Sequence, residues 1–192
     1  MIVTPPSSFG MVRVALIFLT QLLLWVLVAQ ANHALSGLHV YLFASGLFIA
    51  YPALAFGLRE GMIVSFLGGL LCDANVALAP DLSRSALALA HTHALLFVCA
   101  HAIIYHLRDR LPREETFARV LVVLFSNLGI FLVFSLAKAS RLPASAEIWP
   151  RLIVDLACSQ VFLVLIAPWF FALQRQVLAL ANVQRESLAK SP

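Results

Sequence analysis

The chain has 192 residues, 62% of them hydrophobic and only 11% charged, with a formal net charge of +4. Ordinary soluble domains are roughly half apolar and about a quarter charged, so a single soluble core is excluded. The surplus arginine lies between the apolar blocks, where it bears on orientation in a membrane and not on nucleic acid.

The apolar residues gather into six blocks of about 17 to 23 residues, the length a helix needs to cross a bilayer. The expectation is an all-α membrane protein, a six-transmembrane-helix bundle with no room for a soluble domain. Residues 1–13 form an N-terminal cytoplasmic segment, 14–173 the six-span domain and 174–192 a cytoplasmic tail. Cys72, Cys99 and Cys158 lie inside apolar blocks without C-x-x-C spacing, so they read as small packing residues. No glycine-rich phosphate loop, G-x-S-x-G elbow or H-E-x-x-H run is present.

In chain order, the first span covers about 14–31 behind Arg13. A signal peptide is the rival reading, because Ala29-Gln30-Ala31 looks like a cleavage site, but the apolar run is long for one. The second span, 38–56, carries Pro52, which should kink it near one end. Gly57-Leu58-Arg59-Glu60 leads into the third, 61–79. Pro80 to Ser83 form a turn, with Ser83 placed to cap the fourth, 85–107. The most charged segment, 108–119, reads RDRLPREETFAR and precedes the fifth span, 120–137. The sixth covers 152–173. With the amino terminus inside, Arg13, Arg59, Arg108, Arg110, Arg113, Arg119, Arg175, Arg185 and Lys190 fall on the inner side. Arg84, Lys138, Arg141 and Arg151 fall outside, and nine against four favours both termini in the cytoplasm.

The third span holds the most specific signal. Wound as a helix, Gly61, Ser65, Gly69 and Asp73 fall at i+4 steps on one ridge, and Gly68 and Cys72 widen it. Small residues four apart let a neighbouring helix approach closely in lipid. The carboxyl at the end of the ridge is costly in hydrocarbon and requires a protein partner. Equal depth below the outer turn predicts that Asp73 meets His91, with His93 as the alternative. A site of Asp73, His91, His93 and His101 on one metal is disfavoured, since His91 and His93 diverge on a helix. Asp155 and Arg151, four apart, read as a local ion pair; Gln21 and Asn127 read as inter-helix hydrogen-bonding groups. Nothing pairs a nucleophile with a base, so no enzyme and no cofactor are expected.

The run Ser65-Phe66-Leu67-Gly68-Gly69-Leu70-Leu71-Cys72-Asp73 resembles the G-F-x-x-G-x-x-x-D motif in the third span of the rod shape-determining protein MreD family. Ser65 replaces its first glycine. The Ala86–Ala90 run, and Ala167-Pro168-Trp169-Phe170-Phe171-Ala172-Leu173 followed by Arg175, are similar to that family's fourth and closing spans. After Asp73 the chain lacks the family's glycine-containing turn, and Gly37-Leu38-His39 stands where a proline usually opens the second span. The resemblance implies a fold like the substrate-binding subunits of energy-coupling-factor transporters. It also implies a non-enzymatic role in the bacterial elongation machinery at the inner membrane. There the family binds MreC and helps link MreB filaments to RodA and a penicillin-binding protein. Ser65, Gly69 and Asp73 carry over to the family ridge; Arg108, Arg110, Arg113 and Arg119 are assigned to a cytoplasmic contact. Two alternatives remain open: a vitamin-binding transporter subunit on the same fold, and a metal- or proton-coupled carrier using the histidines.

Overall fold

The computed structural model describes residues 8–77, 92–110, 115–139 and 148–190. Among the described residues all regular structure is helical: α1 (Ser8–Leu35), α2 (Ser45–Ala55), α3 (Leu58–Ala77), α4 (Thr92–Leu107), α5 (Thr116–Ala139) and α6 (Ile148–Lys190), with short 3₁₀ turns at Ser36–Leu38 and Arg108–Arg110. Among the described residues three helices are long and apolar enough to cross a membrane, over Gly10–Leu38, Thr116–Leu136 and Trp149–Leu180. Helices apolar all round, with large side chains such as Leu19, Phe125 and Leu165 exposed, belong in lipid.

The region expected as a continuous second span, 38–56, is corrected by the structure. Only the 11 residues of α2 are helical there, about 16 Å at 1.5 Å per residue, roughly half the hydrocarbon thickness. Helix α1 gives way to the Ser36–Leu38 turn, and His39 adopts a left-handed φ of 55°, so the chain swings back toward the bundle. A non-helical strap then leads to Ser45. Open backbone at this depth needs protein partners in place of water, and side chains supply them. The Leu42 N–H donates to Asn32 Oδ1 at 2.7 Å, while Asn32 Nδ2 returns a bond to the Leu42 carbonyl at 3.1 Å. The Tyr41 N–H donates to Asp155 Oδ1 at 2.9 Å and the Phe43 N–H to Ser159 Oγ at 2.8 Å. Asp155 is therefore committed to the strap; the expected Arg151 pair is not formed. Apolar composition could not separate this strap from helix, because both bury the same residues.

Helix α2 is the centre of the bundle. From Ser45 to Ala53 every residue is buried, beside Leu24, Val64, Phe97 and Val123 of the surrounding helices. It has no side-chain cap of its own at Ala44. Instead Asn127 of α5 accepts from Ser45 Oγ at 3.0 Å and from the Gly46 N–H at 3.3 Å. Gly46 permits that approach, since a Cβ there would collide with the Val123 carbonyl. Gln21 of α1 bonds the Phe48 carbonyl at 2.7 Å. Both amides bond between helices, as their placement in apolar spans predicts.

One end of the bundle is gathered around Phe56. Arg13 lies over its ring at 4.7 Å and 3.9 Å from Glu60, and Arg108 donates to its carbonyl at 2.7 Å. Helix α6 has 43 residues, about 64 Å and twice the hydrocarbon core. Residues 174–190, read from sequence as a tail, continue it as helix; α1 likewise runs unbroken through Ala29-Gln30-Ala31.

Candidate functional site: a small-residue ridge closed by a buried carboxyl

The ridge of α3 is occupied along its whole length, mainly by α4. A Cβ at Gly69 would lie 2.7 Å from the Ala94 backbone nitrogen and 2.9 Å from the His93 carbonyl carbon, so the two backbones touch. At Gly61 the space is taken by the His101 ring, with Nε2 at 2.7 Å, and by the Pro52 carbonyl oxygen at 2.9 Å. Between them Ser65 Oγ bonds His101 Nδ1 at 3.0 Å. Gly68 faces the other way, toward Gln21 Oε1 at 3.0 Å and the Phe48 ring at 3.2 Å. The two faces of small residues on α3 thus admit α4 on one side and α1 with α2 on the other.

Asp73 ends the ridge against the first turn of α4. A helix start leaves its first four N–H groups without intrahelical acceptors, and an acidic group there is favoured by the helix dipole. Asp73 Oδ1 accepts from the His93 N–H at 3.2 Å and contacts His93 Nδ1 at 2.7 Å; Oδ2 accepts from the Ala94 N–H at 3.2 Å. At 4% exposure the carboxyl is a cap supplied from a neighbouring helix. The His93 ring stacks on Phe134 of α5 at 3.9 Å and meets Phe97 edge-on at 6.1 Å. One carboxyl thereby ties α3 to α4 and, through the imidazole, to α5.

His91, the first expected partner, lies outside the described residues; His93, the second, takes the carboxyl. Eight residues back along α3 and eight onward along α4 lead from Asp73–His93 to Ser65–His101, one antiparallel register. Sequence reasoning missed the second pair, although His93, Phe97 and His101 stand at i+4 steps, the spacing of the facing ridge. Both Ser65 and His101 are fully buried, so the pair clamps two helices and offers no approach to a substrate. Among the described residues no three of His, Cys, Asp and Glu gather as metal ligands.

Beside the ridge, Cys72, His93, Trp25, Tyr41 and Phe43 line a cavity of about 50 Å³ beneath the strap. At the opposite end lie the arginines assigned to a cytoplasmic contact. Arg108 stacks on Tyr105 at 3.8 Å while bonding Phe56, Arg110 is exposed and Arg119 half-buried, and Arg113 lies outside the described residues. No family model, curated protein or solved structure matches this chain.

Proposed function

We propose that the chain is a non-enzymatic integral membrane scaffold of the bacterial cell-wall elongation complex. In this reading it crosses the inner membrane six times, the second crossing made by the strap and α2 together alongside α1, with both termini in the cytoplasm, as the arginine distribution favours. It binds an MreC-like membrane protein and connects MreB filaments to RodA and a penicillin-binding synthase. The observation that carries the reading is the Ser65–Gly69–Asp73 ridge, packed backbone to backbone on α4 and closed by the carboxyl cap. These are the residues on which the MreD resemblance rests, and their joint use in one helix contact supports a common reason for the pattern.

The vitamin-binding alternative is less well supported. Small-molecule sites commonly occupy about 300–1,000 Å³ and present a few convergent polar groups, whereas the cavity beneath the strap holds about 50 Å³ and the larger groove between α4 and α5 is lined almost wholly by apolar side chains. Depletion of the protein in a rod-shaped host tests the proposal: cells should round up, and an MreC-like protein should co-purify with the wild-type chain. Rods of unchanged shape after depletion would overturn it.

A further inference from the structure

Helices α4 and α5 pack mainly on α3 and α2 and touch each other little, so they stand apart. The separation leaves a groove of about 820 Å³ that opens sideways, with Cys99 and Ile103 on one wall and Phe125 and Val133 on the other. Along α5 it extends from Phe117 to Val133, about 24 Å at 1.5 Å per residue, or more than four helical turns. Ser126, the hydroxyl within it, donates to the Val122 and Val123 carbonyls of its own helix. Phe125 projects beside it, 68% exposed.

Two observations select the occupant. The first is Gly129. At Gly46, Gly61, Gly68 and Gly69 a Cβ would meet neighbouring atoms that explain the glycine, but at Gly129 nothing lies within 4 Å. A mid-helix glycine weakens a helix, and among the described residues no contact requires one there. A fluid acyl chain does not require one either, because it adapts to a methyl group. A second helix backbone does, since close approach in lipid depends on missing side chains. The second observation is charge. Glu115 is the charged residue in the lining, at the end of the groove that the proposed orientation places in the cytoplasm. Membrane-spanning helices carry lysine and arginine on that flank, whereas a second copy would set Glu115 against Glu115.

We propose that the α4–α5 groove is the docking site for one membrane-spanning helix of a different protein. Its backbone lies against Gly129 and its lysine- or arginine-bearing cytoplasmic flank meets Glu115. The inference rests on the scaffold reading and deepens it by placing the partner surface away from the ridge, which is already filled by α4.

The test uses the full-length protein in its host membranes, with a photoreactive phenylalanine analogue at Phe125 and, as control, at Leu165, which is 72% exposed on α6. The expected product from Phe125 is a cross-link to a peptide identified by mass spectrometry as a membrane-spanning segment with Lys or Arg at its cytoplasmic end. Its yield should fall at least tenfold in Gly129→Leu and in Glu115→Lys, while the thermal midpoint of each purified variant stays within a few degrees of wild type. Cross-links to lipid alone, to another copy of this chain, or equally from Leu165 would overturn the proposal, as would a smaller loss in either variant. Failure of the scaffold reading shows separately. Rod-shaped cells after depletion with the Gly129-dependent cross-link intact would remove the cell-wall role and leave the groove assignment standing.

Discussion

Replacing Asp73 by alanine removes three hydrogen bonds at once, to the His93 N–H, the His93 imidazole and the Ala94 N–H. None of these donors regains water, because His93 and Ala94 are buried. Each stranded donor costs about 1–3 kcal/mol, so the three of them put the loss for Asp73→Ala at roughly 3–9 kcal/mol. Domain stabilities run at about 5–15 kcal/mol, so the variant should be folded but fragile. Asparagine keeps one acceptor oxygen and is itself a good cap, so Asp73→Asn should lose about 1–2 kcal/mol. For a domain of this size 1 kcal/mol moves the midpoint by about 2–4 °C. Thermal unfolding in detergent should therefore rank wild type above asparagine and asparagine above alanine, with the alanine variant lower by about 6 °C or more. An alanine variant within about 0.5 kcal/mol of wild type would refute the reasoning, because it would mean that the first turn of α4 is satisfied by other groups.

The glycines should divide by what they face. Gly69→Ala is expected to cost about 1–3 kcal/mol through overpacking on the Ala94 backbone. Gly129→Ala, with open space around the new methyl, should stabilise the isolated protein by up to about 1 kcal/mol. The same unfolding measurement checks both, and a shared sign would contradict the packing described. Asp155→Ala should free the strap and speed amide exchange at Tyr41 by about fivefold, one hydrogen bond being worth about 1 kcal/mol. Arg151→Ala should leave that exchange unchanged. Ser65→Ala removes the bond to His101 Nδ1 and is expected to cost about 1–2 kcal/mol, again read by unfolding; no loss would show that the imidazole finds another partner.

Much of the candidate site was legible before any coordinates. The i+4 ridge from Gly61 to Asp73 follows from helical periodicity alone, and the price of a carboxyl in hydrocarbon demands that it meet another helix. The roles of Gln21 and Asn127 follow from the same cost. Less legible was which histidine answers Asp73. Depth arithmetic pairs residues only to within a turn, whereas the contact of Gly69 with Ala94 sets the register and brings His93 to the carboxyl. The strap was hidden for a different reason. Its amides are satisfied by Asn32, Asp155 and Ser159, two of them more than a hundred residues away, and no local pattern records a partner that distant.

By itself, then, the sequence determines that this is an apolar, helical membrane protein with one close-packing ridge, because composition and periodicity act residue by residue. Only the tertiary structure decides that α2 is a short buried helix behind a strap, that α2 and α4 borrow their caps from neighbours, and that Gly129 meets none of the described residues. Each of these depends on which backbone groups are left without an intrahelical partner and on what the rest of the chain brings within reach of them.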